Sequence, residues 1–118
     1  MKATHSHPIL LTSNLADTIT DLEYIGYKLQ WKFGDPNWYA ALAIDGLELH
    51  LRQTHHAIPP IPQLYLTVDN INEMHEILKK HRIETDHAPE NQEYGMKDFQ
   101  ASLSGGTIIT IGEVLETQ

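Results

Sequence analysis

The second half of this chain repeats the first at low resolution, and a repeat on that scale constrains the architecture more than any single residue does. Each half reads as a strand, a helix and three further strands. His7-Pro-Ile-Leu-Leu-Thr12 is an apolar run followed by a helix with Leu15, Ile19, Leu22 and Ile25 on one face. Leu64-Tyr-Leu-Thr-Val68 is a second apolar run, followed by Ile71, Met74, Ile77 and Leu78 at helical spacing. The closing strands also correspond, Ile44-Asp-Gly-Leu-Glu-Leu-His-Leu51 with Gly106-Thr-Ile-Ile-Thr-Ile-Gly112. Leu15 matches Ile71 and Leu22 matches Leu78, both 56 apart, whereas Gly46 matches Gly106 at 60. The four extra residues have the signature of a loop insertion. The expected fold class is therefore α+β, with two βαβββ modules whose eight strands form a curved mixed sheet around a groove.

At 118 residues the chain has the length of a single domain, 1–118, whose two modules share a core. The modules span 7–52 and 63–113, and a linker, 53–62, joins them. Pro59, Pro60 and Pro62 stiffen that linker and block strand pairing. No apolar stretch approaches the roughly 20 residues of a membrane span, no signal peptide is apparent, and no membrane partner is expected. Absence of cysteine excludes disulfides and thiolate metal sites and points to a cytoplasmic location. A net charge of −8 argues against nucleic acid, whose phosphates it would repel, and suits a cationic small molecule.

Local signals fit the repeat. Asn14 and Asn70 precede the first apolar residue of each helix, with Asp17 and Glu73 three positions on, an N-cap followed by a first-turn carboxylate. Gly26 suits the left-handed stop of the first helix, and Lys79-Lys-His81 the basic end of the second. In Leu47-Glu-Leu-His-Leu-Arg52 the leucines take one face, and Glu48, His50 and Arg52 the other. Gln63, Tyr65 and Thr67 oppose the aliphatics of their strand in the same way. This second face is too rich in His, Tyr, Gln and Thr for a plain solvated surface, and it reads as a lined groove.

Eight histidines invite a metal, but no HExxH or other ordered zinc spacing occurs. His7 and His50 point to the groove, with Glu48 as a third donor. Their repeat partners, Gln63 and Thr110, are poor ligands, so neither metal nor cofactor is expected, and His7 and His50 remain the candidates if one binds. No GxSxG, catalytic cysteine or P-loop is present, and no catalytic residue is assigned. Aromatics carry the stronger signal. Trp31, Phe33, Trp38 and Tyr39 surround the Gly34-Asp-Pro-Asn37 turn, and Tyr94 and Phe99 flank the 88–95 loop. Such rings stack planar ligands or hold cations, although Trp31, Tyr39 and Phe99 suit a core equally well.

Gln92-Glu-Tyr-Gly-Met-Lys-Asp-Phe-Gln-Ala-Ser-Leu-Ser-Gly-Gly-Thr-Ile-Ile-Thr-Ile111 and Asp45-Gly-Leu-Glu-Leu-His-Leu51 resemble segments of the vicinal-oxygen-chelate superfamily of glyoxalases, dioxygenases and bleomycin resistance proteins. The likeness is strongest to the bleomycin resistance branch and covers residues 7 to 113. Leu103-Ser-Gly-Gly106 departs from the superfamily's Asp-Pro-Asp-Gly turn but keeps its last glycine. The resemblance implies metal ligands at the positions of His7, His50, Gln63 and Thr110, of which only His7 keeps the usual type. It therefore implies a homodimeric small-molecule binding protein, sequestering a bleomycin-like antibiotic without turnover. The alternative is a metal-dependent lyase or dioxygenase. The expected ligand groove holds Trp31, Phe33, Trp38, His50, Arg52, Tyr65 and Tyr94, is completed by the partner subunit, and has Glu48 neutralising Arg52.

Overall fold

A computed structural model describes residues 1–116. The first module comprises β1 (Ile9–Thr12), α1 (Leu15–Ile25), β2 (Lys28–Gly34), β3 (Asn37–Ile44) and β4 (Leu47–Gln53). The second comprises β5 (Pro62–Thr67), α2 (Ile71–Lys80), β6 (Glu84–Thr85), β7 (Glu90–Asn91), β8 (Met96–Ser102) and β9 (Ile108–Val114). Their sheets have matching order, β1-β4-β3-β2 and β5-β9-β8-β6. In each, the first strand pairs in parallel with the last and the other pairings are antiparallel. The α+β paired-module architecture is thus present. One detail differs from the eight strands expected: two dipeptide strands, β6 and β7, share the place of one along β8. Pro89 lies between them, and proline supplies no N–H to continue a ladder.

The repeat extends to side-chain chemistry. Asn14 Oδ1 accepts from Asp17 N at 3.1 Å and Asn70 Oδ1 from Glu73 N at 3.1 Å, each replacing a missing intrahelical partner. Gln53 Oε1 accepts from Leu15 N at 2.9 Å, and Glu113, 60 residues later, accepts from Ile71 N at 3.1 Å. The last strand of each module therefore clamps the start of that module's helix. Gly26, at φ +127°, ends α1. Leu10, Leu22, Leu49, Leu51, Leu78, Phe99, Ile109 and Ile111 join one buried cluster that draws on both modules. Leu47 departs from the buried leucine face: it begins β4 beside the 45–46 turn and is exposed.

The Ser104–Gly106 turn latches the modules together. Ser13 N donates to Gly105 O at 2.9 Å. Thr18 Oγ1 donates to Ser104 O at 2.7 Å, and Thr107 Oγ1 to Leu11 O at 2.6 Å. The Asp21 carboxylate accepts from both Ser104 N (2.7 Å) and Ser104 Oγ (2.8 Å). Thr12, Thr18 and Thr107 are fully buried, so this network satisfies groups that would otherwise be costly to desolvate.

Candidate functional site: a groove shared by two sheets

On the semi-polar face of the first sheet, β2, β3 and β4 bring together a continuous row of rings. Ala41 sits in register with both Trp31 and His50. Its methyl group leaves room for those rings to meet edge to face above it, at 5.3 Å between centroids. Trp31 stacks on Tyr39 at 5.9 Å, and Trp38 meets Tyr39 and Phe33 edge to face at 5.7 Å each. Trp31 (46% exposed), Trp38 (42%) and Phe33 (61%) belong to this open surface, while Phe99 is core. Arg52 lies over the Trp38 ring at 5.8 Å, a cation–π contact.

The expected Glu48–Arg52 pairing does not form. Four residues of extended strand place the two about 13 Å apart with His50 between them. Glu48 instead reaches His50 Nε2 at 3.1 Å and lies 4.0 Å from His7 Nδ1. Tyr39 Oη and His50 Nδ1 share a hydrogen bond of 2.8 Å that fixes the imidazole, and the His7 and His50 rings approach to 3.9 Å. One donor atom from each of His7, Glu48 and His50 lies within 4.8 Å of the others. His7 Nδ1 is buried without a hydrogen-bond partner. Two imidazoles, a carboxylate and an unsatisfied buried nitrogen fit a first-row divalent ion after a small closure, because tetrahedral ligands at ~2.1 Å stand ~3.4 Å apart. Gln63 does not join them. Its Oε1 accepts from Leu11 N at 2.8 Å, tying β5 to β1.

The second sheet contributes a different chemistry. Asp98 on β8 is 4% exposed and stands opposite Gly112 on β9. A Cβ at Gly112 would collide with the Tyr65 phenol, so glycine there lets Tyr65 cross β9 and donate to Asp98 Oδ2 at 2.9 Å. Tyr94 donates a short hydrogen bond to the same oxygen. Partial burial and then the Asp98 carboxylate raise the Tyr65 phenol above its ordinary value. The hydrogen bond to Asp98 does the same for Tyr94. In the neighbouring loop, His87 is held above its usual value by its hydrogen bond to the Ala88 carbonyl and then by the charges of Asp86, Glu90 and Asp98.

Tyr65 joins the two halves. It lines a cavity of about 430 Å³ with His7 and Glu48, and another of about 490 Å³ with Asp98, Tyr94, Gln100 and Thr110. The seven groove residues read from the sequence thus fall in two groups. Trp31, Phe33, Trp38, His50 and Arg52 stand on the first sheet, Tyr65 and Tyr94 on the second. Two participants lack prominence in the sequence. Tyr39 suits a core as well as a site, and it proves to be the residue that orients His50. Asp98 hides in Met96-Lys-Asp-Phe99, where only its strand parity with Gln100 marks it as groove-facing.

No family model matches the sequence, and no curated protein matches it either. Solved structures do resemble it. A bleomycin resistance determinant encoded on the transposon Tn5 aligns over 95% of this chain and 98% of its own, with TM-score 0.75 and 19% identity. A bleomycin-binding protein complexed with bleomycin covers 98% of this chain and 100% of its own, at 0.74 and 19%. A glyoxalase-related enzyme from Clostridium phytofermentans covers 98% of each chain at 0.80 and 14%. Paired sheets of matching order, helices clamped to their closing strands and coverage of nearly the whole chain give one conclusion: this protein has the fold shared by the bleomycin resistance proteins and the glyoxalases.

Proposed function

We propose that this chain is a cytoplasmic small-molecule binding protein that sequesters a bleomycin-like antibiotic without turnover, in grooves completed by a second copy. The observation that carries the reading is the aromatic row Trp38–Tyr39–Trp31–His50, its two tryptophans half exposed, on a sheet face of a protein of net charge −8. Large exposed rings are costly to leave in water, and they stack planar groups or hold cations. An open aromatic face also favours association, and this supports the homodimer. The bleomycin-binding protein of the same fold supports the choice of ligand. Titration with metal-free bleomycin, read by tryptophan fluorescence, tests it: saturable quenching is expected, and a linear, non-saturating response refutes it. Sedimentation should give twice 13.4 kDa, and a mass of 13.4 kDa at micromolar concentration rejects the dimer.

A second reading, a metal-dependent lyase or dioxygenase, is favoured by the convergence of His7, Glu48 and His50. Those three residues would hold the ion, which would supply Lewis-acid polarisation of a substrate oxygen. Tyr39 would hold the His50 ring in place, and Glu48 would carry the negative charge. Added zinc should then shift the His7 and His50 imidazole resonances together, with Glu48→Gln weakening the effect. A shift confined to one imidazole rejects a shared site.

A further inference from the structure

The geometry points to Asp98 as the anchor for a cationic nitrogen, an ammonium or amidinium group, of the molecule that occupies this groove. The inference rests on the groove being a binding site and names the part of the ligand that the second sheet takes.

Three elements build the site around a single carboxylate. β8 supplies Asp98, β5 supplies Tyr65 across Gly112, and the loop before β8 supplies Tyr94. Asp98 is almost wholly buried, yet among the described residues no lysine, arginine or histidine lies within 4.0 Å of it. Both its hydrogen-bond donors are phenols, and both act on Oδ2; Oδ1 accepts no side-chain hydrogen bond. A buried carboxylate of this kind is ordinarily paired with a cation, because neutral donors offset only part of its desolvation. Here the space beside it is open: the cavity of about 490 Å³ adds Asp86, Gln100 and Thr110, all able to accept hydrogen bonds. His87 also lines it, but it is engaged with the Ala88 carbonyl at 2.6 Å and lies near Asp86 and Glu90, at 3.5 and 3.7 Å.

Two phenol rings, one buried carboxylate and further acceptors select a cation over an anion and over an apolar group. Pairing with the carboxylate is what supplies the selection. The volume is that of a ligand fragment, and Tyr65 connects it to the His7–Glu48 cavity. A ligand seated in the His7–Glu48 cavity can therefore extend past Tyr65 and place a charged arm beside Asp98.

The probe is benzylammonium, with benzyl alcohol as its uncharged isostere, followed by amide and tyrosine ring shifts of the dimer or monomer as purified. Benzylammonium should shift Gln100, Thr110, Tyr65 and Tyr94 saturably, more weakly in added salt, while benzyl alcohol should bind at least about tenfold more weakly. Asp98→Asn, which keeps the shape and an oxygen acceptor for both phenols, should cost benzylammonium about tenfold or more and leave benzyl alcohol unchanged. Should Asp98→Asn lower the melting temperature enough to obscure this, Tyr94→Phe is the second variant. It frees Oδ2 of one donor and should keep or tighten cation binding. Equal binding of both probes, or benzylammonium affinity that survives loss of the carboxylate, overturns the assignment. Metal-free bleomycin separates the two proposals. If it binds the wild type and Asp98→Asn alike, the groove reading stands and the Asp98 anchor falls. If benzylammonium binds through Asp98 while bleomycin does not bind, the anchor stands and the antibiotic reading falls.

Discussion

Gly105 and Gly46 offer a controlled test of the latch that fixes one module against the other. Both have left-handed backbones, φ +77° and +80°, so an alanine at either carries a similar conformational cost of about 1–2 kcal/mol. A gain of about 0.4–1 kcal/mol from the stiffened unfolded chain offsets part of it. At Gly46 nothing lies within 4 Å of the added methyl group, and Gly46→Ala should cost no more than about 1.5 kcal/mol. At Gly105 the methyl group would collide with Thr12 Oγ1 and stand 2.8 Å from Asn14 N, a backbone atom that cannot rotate away. Overpacking of about 1–3 kcal/mol and a weakened Ser13–Gly105 hydrogen bond of about 1 kcal/mol then add to the strain. Gly105→Ala should therefore cost about 2–4 kcal/mol more than Gly46→Ala. Urea unfolding at 25 °C reads the difference as a midpoint lower by about 1 M or more, given slopes of about 1–3 kcal/mol per M. Two variants within about 0.5 kcal/mol of each other would show that the turn is not seated on the start of α1, and the latch would be refuted.

Trp38→Ala should weaken metal-free bleomycin about 5- to 30-fold, the worth of one stacked ring. Because Trp38 is half exposed, its melting temperature should fall by less than about 8 °C in calorimetry; a larger fall would make it a packing residue. Asn14→Ala and Asn70→Ala should each cost about 1 kcal/mol in urea unfolding, since the caps are equivalent; a several-fold inequality would break the helix correspondence. Tyr27, pushed up to about 12 by burial, and Tyr65, raised by partial burial and then by Asp98, should both ionise above the ordinary phenol range. Folding favours the protonated phenols, so this stability is complete below pH ~10 and lost as pH rises through the folded values. In Asp98→Asn, ring-carbon shifts should report Tyr65 titrating earlier with Tyr27 unmoved, and an unchanged Tyr65 would deny the carboxylate its influence.

The repeat was legible because period and punctuation agree. Two helix stripes, two asparagine caps and two closing glycines recur at nearly constant offset, and each encodes a local interaction that needs no knowledge of the partner module. The alternation of β4 likewise identifies which side chains face the groove. What the sequence conceals is contact across strands. Register places Ala41 between Trp31 and His50 and Gly112 opposite Asp98, where the Tyr65 phenol crosses it, and only those contacts explain why each small residue is small. The same limit applies to Glu48. Its assignment to Arg52 respected the shared face but not the distance along the strand, and His50, two residues away, intercepts it. The Leu103–Gly106 turn reads as an altered motif until its docking against Asp21 and Thr18 gives the change a purpose.

The two modules keep one backbone plan and differ in what they place on its groove-facing side. At the positions of His7 and His50 the second module has Gln63 and Thr110, and its charge sits instead on Asp98, one strand over, opposite a glycine. Imidazoles and indoles gather on one sheet, and phenols around a carboxylate on the other. A symmetric site would repeat one chemistry and suit a ligand or ion gripped equally from both sides. Divergence of this kind suits an elongated molecule with unlike ends, a planar part for the indoles and a cationic part for the carboxylate. Glu48 lines the cavity that Tyr65 shares with the Asp98 side. Under the metal-dependent reading, His7 and His50 would hold the ion with Glu48, and the ion and the ligand would then draw on the same cavity.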